Sequence, residues 1–366
     1  MKNLAVVAPF PNPHFLDIFD SEAFTSVWNV DRFCFRSLPA HRQGLGWEEA
    51  NFQPLSSNYL KIAKNQKAVS DYESIIYYGA VDPRCIPALM MQNSLKRGQR
   101  TFLATEGIRF KHPRWRTWGF SYLLNHPQLE FLAIGDQCAE DFRNAGLTKP
   151  SYRKYGFFEN YTSFDGNKSH NAKGPCSILS VGQLIDRKNF LSVIQSLQRL
   201  AARITQPVVY TICGEGAQRS ELEAAVSELP DTITVELLGN CDASKLEECF
   251  RSADIFAMPS VYDGWGVVLN QAIHFQLPVI VSSGVRAAKD HLVQDGHNGF
   301  IYENEAQLDD QLLKLIEDHP LRTQCAKNST EISHDWHIDA VAKNLALVVA
   351  GEEPLVDGPF APLARV

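Results

Sequence analysis

The stretch ADIFAMPSVYDGWGVVLNQAIHFQLPVIVSSGVRAAKDHLVQDGHNGFIYE, Ala253 to Glu303, decides the fold. It opens on a short apolar run that stops at Pro259, passes through a turn carrying Asp263, Gly264 and Gly266, and continues with helical periodicity from Val267 to Phe275. A second apolar run follows at Val279 to Ser282. Short buried strands separated by helices are the sequence form of a parallel α/β sheet. The turn has a chemical consequence, because the free amides and positive dipole end of a helix start attract anions. In a doubly wound sheet such a turn also lies at the carboxyl edge of the strands, where nucleotides bind.

The same alternation runs outward in both directions. Towards the N-terminus, strands are expected at Leu4 to Ala8, Phe33 to Ser37, Ser74 to Tyr78, Thr101 to Thr105 and Phe131 to Ile134, then at Ser177 to Val181, Val208 to Cys213 and Ile233 to Leu238. Helices at Ser220 to Glu228 and Lys245 to Ser252 have the length of crossovers between parallel strands. The stretch NYTSFDGNKSHNAKGP, Asn160 to Pro175, is polar and nearly devoid of apolar residues, which marks a linker. It divides the chain into an N-terminal α/β domain over 1–160, a linker over 161–175 and a C-terminal α/β domain over 176–335. Residues 336–366 follow as a helix, Asp339 to Val349, expected to cross back to the first domain, and a Pro-rich tail expected to lack structure.

Composition excludes several classes. A net charge of -7 leaves no dominant basic face for nucleic acid. The eight cysteines include no CxxC pair, so they read as reduced, mostly buried thiols in a cytoplasmic protein. No apolar run reaches the roughly 18 residues of a membrane span. No DxD occurs and no His, Cys, Asp and Glu cluster has metal-ligand spacing, so neither metal nor cofactor is expected.

Two further loops share the strand, glycine and helix form. ILSVGQLIDRKNF, Ile178 to Phe190, places Gly182, Gln183, Arg187 and Lys188 after a strand, and TICGEGAQRSELE, Thr211 to Glu223, does the same with Gly214 and Gly216. Together with the PS, G-aromatic-G, PVIVSS and DGHNGF elements of Ala253 to Glu303, they resemble the donor-binding half of the family 4 retaining glycosyltransferases of the GT-B fold. That resemblance implies two facing Rossmann-like domains with a cleft between them, and a nucleotide diphosphate sugar donor held by the C-terminal one.

By position, Lys188 matches the family's diphosphate-neutralising lysine, while Gln183 stands where an arginine is usual and Arg187 is placed to supply the missing charge. Asp263 and Gln271 stand where the family has two glutamates that contact the donor sugar and the ribose. Asp263 keeps the charge with a shorter reach; Gln271 keeps an acceptor and adds donors. The resemblance places Lys188 and Asp263 on opposite sides of the reacting bond. Gly214 and Gly216 are expected to open the wall of the nucleotide pocket. Leu238, in LLGN, marks where the base is held by main-chain groups, and Gly264, Trp265 and Gly266 line the donor site.

The N-terminal half resembles the family only in outline, through FLAIGDQCAEDFRNAG at Phe131 to Gly146. Glu106 follows a middle strand where many members place a histidine, and either orients the acceptor and charge on the sugar or caps a helix. His14 and Asp17 are candidates for the acceptor side. IRFKHPRWRTWGF, Ile108 to Phe120, mixes Arg109, Arg114 and Arg116 with Trp115 and Trp118. Such a mixture suits either a peripheral contact with an anionic membrane or lipid acceptor, or a loop with buried aromatics and solvated arginines.

The expected reaction is metal-independent transfer of a hexose-like sugar to a glycan or lipid-linked glycan, with retention. Two other readings stay open: a GT-B nucleotide-sugar epimerase, which needs no acceptor, and a nucleotide-sugar-binding protein without catalysis, suggested by Asp263 and Gln271 in place of two glutamates.

Overall fold

The computed structural model describes residues 1–10, 17–37, 52–79, 86–107, 119, 121–158, 174–289, 291–355 and 358–363. The chain forms two compact units, Met1–Asn160 with Asp335–Val366, and Tyr161–His334.

The first unit holds a seven-stranded parallel sheet in the order β3-β2-β1-β4-β5-β6-β7. Its strands are β1 (Lys2–Ala8), β2 (Trp28–Cys34), β3 (Gln53–Pro54), β4 (Ser74–Tyr78), β5 (Arg100–Glu106), β6 (Leu129–Ile134) and β7 (Ser151–Tyr155). Alternate residues of the central strands fill opposite faces. On one, Ala5, Val7, Tyr77, Leu103 and Phe131 pack with Met90, Met91 and Phe142. Helix Ile338–Ala350 belongs to this unit, where Trp28 Nε1 donates to the Ala346 carbonyl at 3.2 Å and Ser74 Oγ to that of Val349 at 3.0 Å.

Two expectations are corrected here. The strand expected at Phe33 to Ser37 is β2, which starts at Trp28 and pairs with β1 along Lys2↔Trp28 to Ala8↔Cys34. Its middle residues Asn29, Asp31 and Arg32 are polar and only partly covered, so no apolar run marks it. Nor is the tail without structure over 358–363. Lys154 and Phe360 exchange main-chain bonds with the tail and β7 (Lys154 N to Ala361 O, 2.9 Å; Phe360 N to Lys154 O, 2.7 Å), and Leu363 N bonds Tyr152 O at 2.8 Å. The segment thus runs antiparallel along the outer edge of β7.

The second unit holds a six-stranded parallel sheet, β10-β9-β8-β11-β12-β13. Its strands are β8 (Cys176–Val181), β9 (Val208–Cys213), β10 (Ile233–Gly239), β11 (Ile255–Met258), β12 (Val279–Ser282) and β13 (Gly299–Tyr302). β11 and β12 are buried along their whole length, as expected for strands covered on both faces. Helix Phe190–Leu200 turns Phe190, Val193, Ile194 and Leu197 inward, and helix Glu305–Glu317 contributes Leu308, Leu312 and Leu315 to the same core. Each such side chain contributes about 1.5–3 kcal/mol on burial.

Asp242 and Asn304 cap the starts of helices Ala243–Ser252 and Glu305–Glu317 by accepting from Lys245 N and Gln307 N. The cysteines among the described residues are free, and burial pushes the Cys176 thiol up to about 12, which makes it inert packing. Strand order reverses between β8 and β11, and ligands of such sheets bind at the carboxyl ends of that pair.

Candidate active site

Two loops leave the sheet at this reversal. After β8 the chain passes Gly182 and a single 3-10 turn, Asp186–Lys188, before Asn189 takes a left-handed conformation (φ 54) and helix Phe190–Leu200 begins. Asparagine is among the few residues that tolerate that conformation. After β11 the chain runs through Pro259 to Asp263. The loops are sewn together by two hydrogen bonds: Val261 N donates to Arg187 O at 2.9 Å, and the Arg187 guanidinium donates to Tyr262 O at 2.8 Å.

The charged side chains then converge. Lys188 Nζ lies 2.6 Å from Asp263 Oδ2, and Arg187 Nη1 lies 3.4 Å from the same oxygen. Asp263 is fixed at its backbone by Asp263 N to Gly284 O and Arg286 N to Asp263 O, each 3.0 Å. β8 and β11 are neighbours, and they bring the two side chains, 75 residues apart in sequence, into contact. Each side chain is only 13% exposed, so the pair is not of the nearly worthless surface kind. Removing one partner leaves a poorly solvated charge behind. With Arg187 at 41% exposure, two cations share one carboxylate, and the cluster carries an excess positive charge.

Helix Val267–His274 starts beside this cluster. Gly266, at φ 90, is its N-cap, a conformation that favours glycine, and the end of the Met258 side chain fills the space where a Cβ would stand. The first helical amides, at Val267 and Val268, are among those that intrahelical bonding leaves over. Gly264 and Gln271 are half-buried in the same turn and helix.

Trp265 departs from its expected part in lining the site. It is 2% exposed, its indole N–H is spent on Asn270 Oδ1 at 2.7 Å, and its ring meets His291 edge-on. Its side chain anchors the turn from inside the core.

Gly214 and Gly216 also have a different reason from the one expected. A Cβ on Gly214 would lie 1.9 Å from Gly182 O, and one on Gly216 2.3 Å from Leu184 O. The neighbouring backbone fills the space they leave, bonded through Leu184 N to Glu215 O at 2.9 Å and Gln218 N to Leu184 O at 3.0 Å. They lock the β9 loop onto the β8 loop. Gln183 is exposed between them. Leu238 is 39% exposed and lines a groove with Thr211, Lys245 and Cys249 beneath helix Ala243–Ser252.

Arg286 went unnoticed in the sequence. It follows β12 at the same carboxyl edge, and its guanidinium sits 5.6 Å from the Tyr262 ring centroid. The VSSGVR run after a buried strand is the signal that could have found it.

In the first unit, Glu106 is exposed at the carboxyl end of β5. Nearby, the Cys138 thiol is pushed far up by its burial, with Asp141 and Glu106 adding to the effect. Asp17 heads the short helix Asp17–Asp20. His14, Arg109, Arg114, Trp115, Arg116 and Trp118 lie outside the described residues. Among the described residues no group of three His, Cys, Asp or Glu is arranged to hold a metal ion, and no helix is long and apolar enough to cross a membrane.

Two parallel α/β sheets, the second with a cationic cluster at its strand-order reversal, are the features to set beside known proteins. Residues 163–332 match the family model of glycosyl transferases group 1. A galactosaminyltransferase of Campylobacter jejuni, GalNAc-alpha-(1->4)-GalNAc-alpha-(1->3)-diNAcBac-PP-undecaprenol alpha-1,4-N-acetyl-D-galactosaminyltransferase, is 21% identical over 308 residues, covering 82% of this chain and 81% of that enzyme.

A second enzyme of the same organism, N-acetylgalactosamine-N,N'-diacetylbacillosaminyl-diphospho-undecaprenol 4-alpha-N-acetylgalactosaminyltransferase, is 32% identical over 149 residues, 40% of this chain and 38% of its own. Among solved structures, Anabaena Alr3699/HepE in complex with UDP superimposes with a TM-score of 0.67 at 16% identity, covering 96% of this chain and 100% of that one. The fold is that of the GT-B glycosyltransferases.

Proposed function

We propose that this chain is a retaining glycosyltransferase that moves a hexose-like sugar from a nucleotide diphosphate sugar to a glycan or lipid-linked glycan acceptor without a divalent cation. The observation that carries the reading is the convergence of Lys188 and Arg187 beside the start of helix Val267–His274 at the β8/β11 reversal. Breaking a sugar–phosphate bond leaves a nucleotide diphosphate whose charge grows along the reaction, and preorganised cations and helix amides favour that state. Lys188 and Arg187 do the work a bound metal does elsewhere. Asp263 takes hydroxyls of the donor sugar, Gln271 those of the ribose, and the leaving phosphate takes the acceptor proton. Glu106 belongs to the acceptor side.

The two Campylobacter relatives support a lipid-linked acceptor, since their names describe undecaprenol-linked substrates. A membrane-borne acceptor gives the basic and aromatic stretch 108–120 a use as a peripheral contact at the cytoplasmic face.

The test is a transfer assay with a panel of nucleotide diphosphate sugars and a polyprenyl-diphosphate glycan, with EDTA present and the product anomer read by NMR. Retained configuration with EDTA is expected. An inverted product overturns retention, activity that needs added magnesium or manganese overturns metal independence, and binding with neither transfer nor hydrolysis leaves a donor-binding protein.

A further inference from the structure

Asp263 is held by the cations that the proposed function assigns to the donor's diphosphate. Its Oδ2 sits 2.6 Å from Lys188 Nζ and 3.4 Å from Arg187 Nη1, in a pocket where Lys188 and Asp263 are each 13% exposed. The carboxylate and a diphosphate are ligands of one chemistry, oxygen anions seeking the same N–H donors.

The backbone of Asp263 is pinned on both sides by Gly284 and Arg286, so a change of partner falls to side-chain rotation. On the helix side the space beside Gly266 is taken by the flexible end of the Met258 side chain, which can yield to such a rotation. The Arg187 guanidinium is anchored independently through Tyr262 O, and the Lys188 side chain packs over Gly182 from a backbone bonded to Ile185 O at 2.8 Å, so the position of neither residue in the chain depends on the carboxylate.

Resting on that donor-site reading, we infer that Asp263 is a built-in competitor for the diphosphate, and that this competition makes the site prefer a sugar-bearing nucleotide over the free nucleotide diphosphate. A free diphosphate that takes Lys188 and Arg187 leaves the Asp263 carboxylate partly buried, beside a second anion and without its cations. A nucleotide sugar displaces it in the same way but supplies hydroxyl donors to receive it. The carboxylate's cost of displacement is thus offset for the substrate and not for the product, which favours release of the spent nucleotide.

Calorimetry on the full chain tests this with inorganic pyrophosphate as the base-independent probe, and with UDP and UDP-glucose to read the preference for sugar. Asp263→Asn removes the charge at nearly constant shape and should tighten pyrophosphate by about tenfold or more, the scale on which a neighbouring charge shifts such equilibria. It should also narrow the gap between UDP-glucose and UDP. Asp263→Glu keeps the charge and should bind pyrophosphate as the wild type does. Lys188→Ala should weaken it in every background.

Pyrophosphate binding that depends on Lys188 but is no tighter in a folded Asp263→Asn overturns the inference alone, as does equal tightening by Asp263→Glu. Pyrophosphate binding by neither wild type nor Asp263→Asn overturns the donor-site reading and the inference together. Asp263→Ser reads the same quantity if circular dichroism shows the amide variant misfolded.

Discussion

The two units contain the same strand reversal with different edges. In the first, β1 and β4 are the neighbours at the reversal; β1 runs into Pro9 and Phe10, and β4 into Gly79, whose Cβ position is 3.6 Å from the Pro9 ring. In the second, β8 and β11 run into a lysine, an arginine and an aspartate that touch, and the β9 loop is locked against the β8 loop with no space for a methyl group. One topology supplies a carboxyl edge twice, and the residues on it decide what each edge can hold.

The largest effect that sharpens this contrast is on turnover. Lys188→Ala should lower kcat by about 100-fold to 1,000-fold, or about 2.7–4 kcal/mol, the scale for losing one preorganised electrostatic group. Glu106→Gln at the β5 edge should cost less than about tenfold, since Glu106 is exposed and its assigned part is to orient the acceptor. Steady-state kinetics on both variants decides the matter. A Glu106 effect as large as that of Lys188 would move the centre of the chemistry to the first unit.

Stability gives a smaller contrast. Gly214→Ala forces a methyl group to within 1.9 Å of a carbonyl oxygen and should cost about 1–3 kcal/mol for that overlap on top of the backbone strain of its φ of 150, with a lower Tm for the second unit. Gly79→Ala, at φ 55 with its nearest neighbour 3.6 Å away, should cost only the roughly 1–2 kcal/mol of a left-handed alanine. Calorimetric scans of the two variants compare them directly, and equal or reversed losses would show that the β8–β9 packing is not tight.

Smallest is the effect on surface binding. Replacing Arg114, Trp115, Arg116 and Trp118 together with Ser should reduce co-sedimentation with anionic liposomes severalfold at low salt. A wild type that does not sediment removes the membrane contact.

Much of the architecture was legible because strands buried on both faces must be apolar throughout. Leu4–Ala8 and Ile255–Met258 announce themselves in this way. Strands near a sheet margin need not be apolar, so the SYRKY of β7 and the polar middle of β2, which β3 covers only at Phe33 and Cys34, carried no such mark. At the site, the ordered glycines and cations of the C-terminal half marked the loops after β8 and β11, but not their pairing. Lys188 and Asp263 are 75 residues apart, and their contact exists only because β8 and β11 lie side by side. Trp265 misled for a related reason: a motif gives a residue's place in the chain, whereas burial decides which way its side chain turns.

The strap of residues 358–363 along β7, with helix Ile338–Ala350 before it, sets an order of assembly. The strands β1 to β7 emerge first in synthesis, yet Trp28 and Ser74 wait for carbonyls at 346 and 349, and β7 waits for its outer partner at Phe360 and Ala361. The whole second unit is made in between and closes on itself from a continuous stretch. A nascent chain therefore completes the unit with the cationic cluster before the one that precedes it, and the earlier sheet spends that interval with its β7 edge exposed to strand-adding contacts.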